Sequence, residues 1–345
     1  MPSIDHYPGR SIQIKGTEWL HFSGTAYLGL ADHPLYQEKL MEGIRRYGAN
    51  FGGSRRSNLQ LAIFAEAENY LANWLGVEAV LTVSSGSLAG QLLIKYLEQQ
   101  HICDYAPSLH PALIGKGQRF DGSQEAWAQY ILDIPARPDR ILLSSTVDPL
   151  RAMAYDFSWL GRLSPKNQTT LVLDDSHGLG ILGKEGRGTL SLLPSLDQVD
   201  YILLSSMGKA LGVPGGLIAG NQELIQALWE SPFFGGASPI IPAYLYAFLQ
   251  CRALLQAQRE RLSRNIEFFT QVNPGPNAFR QIPGHPVFYV KEPQLADFLA
   301  QRRILISSFH YPTAQDPKIS RIVINAAHTT SDLEKLATLI GDYYQ

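Results

Sequence analysis

Short apolar runs alternate along this chain with segments whose apolar residues recur at helical spacing. The runs at 79–83, 140–144, 170–173 and 201–204 are bounded by polar or glycine-rich residues and are too short for helices. They read as strands buried on both faces, the pattern of a parallel sheet. Helical spacing predicts helices over 35–47, 66–75, 88–99, 124–132, 225–229 and 244–269, with another around Leu160 that ends near a turn at 164–168. A strand is expected again at 213–219, where Gly215 and Gly216 permit close packing. The Pro/Asn/Gly-rich stretch 273–277 reads as a hinge. Beyond it, strands at 287–290, 304–307 and 321–325 and helices at 294–301 and 331–341 predict a small α+β unit. At the other end, 11–15 and 19–22 read as a hairpin turned at Gly16.

The run at 170–173 ends in Asp174-Asp175-Ser176-His177, and the run at 201–204 ends in Ser205-Ser206-Met207-Gly208-Lys209. Ligands of open α/β sheets sit beyond the carboxyl ends of the strands. Asp174, His177, Ser206 and Lys209 are therefore expected in one crevice. Pyridoxal phosphate uses all four residue types. A Lys bonds the aldehyde, an Asp keeps the pyridinium nitrogen protonated, a His meets the ring oxygen and a Ser holds a phosphate oxygen. A third strand end, Ser84-Ser85-Gly86-Ser87, leads from 79–83 into a helix, the geometry that aims backbone N–H groups at an anion.

These segments resemble the D-E-A-H-x-x-G-x-x-G-x-x-G-x-G and [TS]-x-G-K-A-x-G-x-x-G-[GA] signatures of the α-oxoamine synthases, in the same order. The resemblance covers most of the chain and fades between 115 and 160. It implies an α/β fold of the aspartate-aminotransferase type (pyridoxal-phosphate fold type I). That fold has a mainly parallel seven-stranded sheet in a three-layer large domain at 40–235, with a small α+β domain from 1–39 and 236–345. It implies Lys209, Asp174, His177 and His110 as catalytic residues, His110 stacking on the ring. Cofactor contacts are implied at Ser85, Gly86, Ser87, Ser206 and Ser238, the last reaching the neighbouring subunit's site, so a homodimer with shared sites is expected. Arg321, in a segment similar to R-[IL]-x-x-S-A-A-H-T, would grip the substrate carboxylate. Ser54, in a G-x-G-G-S-R-like loop, would lie at the site mouth.

The reaction so implied condenses a small α-amino acid, alanine or glycine, with an acyl-coenzyme A thioester and releases carbon dioxide. Ala26, Leu59, Ala65, Gly90 and Ala152 depart from the family pattern. Aminotransfer, or a catalytically reduced homologue that binds cofactor, are the alternatives. Arg45, Arg46, Arg55 and Arg56 form a cationic group that would attract an anionic substrate, or else a solvated face.

Composition narrows the classes further. Hydrophobic residues make up 45% and charged residues 17%, which allows a sizeable core. A net charge of −2 gives no electrostatic case for nucleic-acid binding. The two cysteines argue against a disulfide framework or a cysteine metal site. No apolar run reaches the roughly 18 residues of a membrane span. The polar first residues carry no signal-peptide pattern, so a cytoplasmic protein is expected. The glycines between 178 and 188 read as a close-packed loop at a subunit contact rather than a nucleotide site.

Overall fold

The computed structural model describes residues 3–117, 119–135, 140–165, 168–311 and 313–345. Part of the turn expected at 164–168 lies outside them. In chain order the strands are β1 (Ser11–Ile14), β2 (Thr17–Phe22), β3 (Ala79–Val83), β4 (Ile102–Tyr105), β5 (Arg140–Ser145), β6 (Val147–Asp148), β7 (Met153–Ala154), β8 (Thr169–Asp174), β9 (Val199–Ser206), β10 (Gly216–Gly220), β11 (Phe279–Gln281), β12 (Val287–Val290), β13 (Ile304–His310) and β14 (Lys318–Val323). The helices are α1 (Pro34–Tyr47), α2 (Ala62–Leu75), α3 (Gly86–Leu97), α4 (Gln124–Asp133), α5 (Gln222–Glu230), α6 (Pro232–Gly236), α7 (Pro242–Gln250), α8 (Arg252–Val272), α9 (Gln294–Gln301) and α10 (Thr330–Tyr344).

Two sheets organise the chain. The central one has the order β3-β10-β9-β8-β5-β4. From β9 to β4 every pairing is parallel, and β10 runs antiparallel to both its neighbours. Its inner strands are wholly buried, as their unbroken apolar runs require: Leu171, Val172, Leu173 and Leu203 are inaccessible to solvent. The expected seventh strand is absent among the described residues. Beyond β4 the chain makes only an isolated parallel bridge, Tyr105 to Arg119, so this edge stops at six strands.

The second sheet has the order β1-β2-β13-β14-β12-β11. The N-terminal hairpin joins it by a parallel pairing of β2 with β13, which places the first residues of the chain beside its last strands. The hairpin turns on Lys15 and Gly16, both at positive φ, as a two-residue turn of this hand requires.

Three expected elements differ. The helix expected at 244–269 is two helices, because Cys251 leaves the helical region (φ −103°, ψ 21°) without a Pro or Gly to signal it. The strand expected from 213 starts at Gly216, since the Val213 N–H turns back to the Met207 carbonyl. The helix around Leu160 is one 3-10 segment, Ser158–Arg162. Among the described residues no helix is long and apolar enough to cross a membrane.

Candidate active site

Strands β8 and β9 are parallel, so the loops after Asp174 and Ser206 leave the same edge of the sheet. Register sets Asp174 beside Leu204 of β9 and Ser145 of β5. One carboxylate oxygen of Asp174 accepts the Ser176 N–H at 3.0 Å. The Ser176 hydroxyl oxygen in turn accepts the Ser206 N–H at 2.8 Å, stitching the two loops together. The loop that carries Lys209 is closed by Met207 N–H to Gly215 carbonyl (2.8 Å) and Val213 N–H to Met207 carbonyl (3.0 Å). Burial pushes the Lys209 ammonium down to about 8; Asp174 opposes the shift and Arg321 adds to it. Near neutral pH the amine is thus far easier to deprotonate than an ordinary lysine.

Asp175 has a different task. It is fully buried and accepts from the Thr146 hydroxyl (2.5 Å), the Thr189 N–H (2.8 Å) and the Thr189 hydroxyl (2.9 Å). Burial raises its carboxyl to about 6. A Cβ on Gly178 or Gly188 would collide with this carboxylate. Within the chain itself, then, the glycine-rich loop is explained as the bed of Asp175.

The His177 Nδ1 lies 2.8 Å from the Tyr27 hydroxyl. Its carbonyl lies 3.0 Å from His285 Nε2. Burial, followed by the electrostatic influence of Lys209, His285, Arg321 and His110, holds His177 well below its ordinary pKa, so its imidazole is neutral. His110 is exposed on this chain, with its Nδ1 accepting the Ala112 N–H at 3.2 Å, and it acts electrostatically on His177.

At the third strand end, Ser85 caps α3, its hydroxyl oxygen accepting the Leu88 N–H at 3.0 Å. The first-turn N–H groups of Gly86 and Ser87 have no in-helix acceptor. Gly86 is required by a close approach: a Cβ there would come within 2.8 Å of Ser206 Cβ and 3.0 Å of its Cα. Anion donors at α3 and the end of β9 are therefore pressed together. Ser206 Oγ accepts the Gly208 N–H at 3.3 Å.

Arg321 lies on β14 between Ser307 and Tyr289 and is only 7% exposed. One terminal nitrogen donates to the Pro149 carbonyl at 2.9 Å, while Nε has no partner among the described residues. A buried guanidinium with an idle donor calls for an anion, and a carboxylate matches its fork.

Ser54 and Ser238, two further expected contacts, lie beside α6. The Ser54 hydroxyl donates to the Gly235 carbonyl at 2.6 Å and accepts the Arg56 N–H at 3.1 Å, so it ties the loop to α6. Ser238 is exposed between α6 and α7; α7 has Ile241 at its N-cap, so Ser238 is not a helix cap. Of the four arginines, Arg55 is withdrawn from the surface, while Arg45, Arg46 and Arg56 stay exposed, as a solvated face would have them. Arg55 is paired with Glu68 inside the chain, and Arg56 donates to the Glu230 carbonyl at 2.7 Å.

Two residues of this cluster carry no role in the sequence reading. Tyr27 stands next to Ala26, a departure from the family pattern, and nothing local marks it. His285 follows a Pro-Gly pair and reads as turn, so nothing local marks it.

The residues present fit pyridoxal phosphate and its substrate. A destabilised lysine ammonium, a strand-end aspartate, a neutral histidine and a helix terminus with free donors share one edge of the central sheet, and the half-satisfied arginine on β14 of the second sheet acts on the lysine and the histidine.

The family model for class I and II aminotransferases matches residues 156–340. The chain is 30% identical to the 8-amino-7-oxononanoate synthase of Aeromonas salmonicida (strain A449), over 98% of this chain and 89% of that protein. With the 8-amino-7-oxononanoate synthase 1 of Bacillus velezensis it shares 28% identity, over 99% and 92%. Among solved structures, Sphingomonas wittichii serine palmitoyltransferase superposes with a TM-score of 0.83 at 15% identity, covering 96% of this chain and 89% of that one. The 8-amino-7-oxononanoate synthase of Francisella tularensis superposes with a TM-score of 0.74 at 21% identity, covering 94% and 98%.

Proposed function

The chain belongs to the class I and II aminotransferases, and within them to the α-oxoamine synthases, and we propose that it condenses a small α-amino acid with an acyl-coenzyme A thioester with loss of carbon dioxide. Like the rest of the family it is a pyridoxal-phosphate enzyme. Its relatives' name makes the reaction of 8-amino-7-oxononanoate synthesis, a step of biotin formation with alanine as amino acid, the leading form. The observation that carries the reading is the half-buried Lys209 amine in the field of Asp174, with Arg321 left one donor short.

In this reading Lys209 bonds the cofactor, Asp174 faces the ring nitrogen, and His177 and His110 hold the ring. Ser85, Gly86, Ser87 and Ser206 take the phosphate. The bound cofactor supplies an electron sink for negative charge on the amino acid's Cα. Arg321 grips the amino-acid carboxylate and thereby sets which Cα bond faces Lys209. Freed when the amino acid's own amine takes its place, the Lys209 amine would take and return the proton at Cα. Ser238, exposed on each chain, would complete the neighbouring site in a homodimer. Sheet membership supports a large domain at 40–235 and a small one from 1–39 and 236–345.

Borohydride reduction of the cofactor-loaded protein followed by peptide mapping tests the lysine. The label is expected on Lys209. A label on another lysine, or no cofactor uptake, overturns the reading.

A further inference from the structure

His177 is held from two sides by residues that lie far from it in sequence. Tyr27 comes from the loop after the N-terminal hairpin and His285 from the approach to β12. Tyr27 hydroxyl and His177 Nδ1 are 2.8 Å apart, and His285 Nε2 and the His177 carbonyl 3.0 Å apart. The two holding rings also touch, edge to face, with centroids 5.8 Å apart. We propose that Tyr27 and His285 are positioning residues that present His177 to the cofactor as a hydrogen-bond donor: Tyr27 selects its tautomer, and His285 anchors its backbone.

Proton bookkeeping supports this. Tyr27 is completely buried, and burial raises its phenol far above the ordinary value, so it keeps its proton. That proton needs an acceptor, and among the described residues His177 Nδ1 is the one at hand. Leaving it unpaired would cost about 1–3 kcal/mol. A neutral imidazole that accepts at Nδ1 carries its hydrogen on Nε2, which turns a donor toward the site. His285 resolves the same way. Its Nδ1 takes the Val287 N–H at 3.4 Å, so Nε2 bears the proton and donates to the His177 carbonyl. Tyr27 is fixed in turn, because its carbonyl accepts the Ala326 N–H at 2.9 Å. Ala326 lies just past β14, the strand of Arg321. The chain run that presents the substrate-gripping arginine thus also holds the residue that sets His177.

The inference rests on the role of His177 proposed above, and its test separates the two. The visible absorbance of the bound cofactor is titrated with pH in the wild type, Tyr27→Phe, His285→Gln and His285→Leu, with kcat and KM measured alongside. Tyr27→Phe and His285→Leu are each repeated in a His177→Asn background. Tyr27→Phe should move the titration midpoint by about one pH unit. It should lower kcat about tenfold, the scale on which partners that orient a functional imidazole act, with KM for the amino acid within about twofold. His285→Gln, which keeps a donor at the Nε2 position, should stay near wild type, while His285→Leu should behave like Tyr27→Phe. Neither effect should persist in the His177→Asn background. An unchanged midpoint in Tyr27→Phe, or an equal shift with His177 absent, overturns the inference. If the wild type takes up no cofactor, the functional reading falls and the inference falls with it. Nitrogen-15 spectra of histidine-labelled wild-type protein read the tautomer without any variant; a His177 signal protonated at Nδ1 contradicts the proposal even if a variant fails to fold.

Discussion

Arg55 and Glu68 form a two-pronged ion pair, 2.8 and 2.9 Å, inside the protein. Glu68 also accepts from the Thr82 N–H and hydroxyl, each at 2.8 Å. The guanidinium lies over the rings of Phe64 (4.2 Å) and Trp229 (4.9 Å). The pair therefore joins the loop before α2 and the middle of α2 to β3 and α5, and Arg55 is 6% exposed. Removing one partner strands a buried charge, which costs about 3–5 kcal/mol. Glu68→Leu should lower the thermal midpoint sharply, as read by calorimetry. In a variant that still folds, KM for an acyl-coenzyme A should stay unchanged; a large rise would return Arg55 to the substrate.

Acid should weaken the protein in a defined window. Burial lowers His285 and His328 to about 4, against an ordinary value of 6.5. Between pH 6.5 and 4 the unfolded chain therefore binds protons that the folded chain refuses, and stability falls as pH falls. Each histidine contributes roughly 3 kcal/mol over that span. Asp175, raised to about 6, works the other way, since its folded form takes a proton first. The histidines outnumber it, and His177 adds to them. Urea midpoints measured from pH 7 to pH 4 should decline, and His328→Phe should flatten the slope. A midpoint that rises with acid contradicts the assignment.

Lys209 should take up cofactor ahead of ordinary lysines. With a value near 8 its free amine becomes abundant between pH 7 and 9, well before the 10.5 of an exposed lysine. The rate at which cofactor-free protein turns yellow on adding pyridoxal phosphate should rise through a midpoint near 8. A midpoint above 10 would place Lys209 in a solvated site.

Much of this site is visible in the sequence because its parts are local. Apolar runs too short for helices end in Asp174, Ser206 and Gly86; parallel pairing carries the first two ends to one edge, and two antiparallel pairings through β10 carry the third there. What escapes the sequence is set by tertiary contact. His285 follows Pro283 and Gly284 and looks like any turn residue, yet it is completely buried against His177. Arg55 sits in a run of basic residues that suggests a charged surface, and only the approach of Glu68 and two aromatic rings shows otherwise. The break at Cys251 has no proline or glycine to announce it. The same limit hides the tie between the glycine-rich loop and the buried carboxylate of Asp175.

Arg321 should govern the amino acid more than the acyl donor. Arg321→Gln removes the charge and the fork, and should raise KM for the amino acid roughly 100-fold, a loss of about 2–3 kcal/mol typical of a charged hydrogen bond. Arg321→Lys keeps charge without the fork and should fall between. Equal effects on both substrates in steady-state kinetics would show that the substitution had disturbed β14 and not one binding contact.

The central claim is the condensation itself, and release of free thiol measures it. Purified protein loaded with pyridoxal phosphate is offered a grid of amino acids against acyl-coenzyme A thioesters. Thiol should appear only when both are present, with alanine or glycine as amino acid, and carbon dioxide should be released in equal amount. If no pair releases thiol while an amino donor and a keto acid exchange nitrogen readily, the protein is an aminotransferase and the account is wrong.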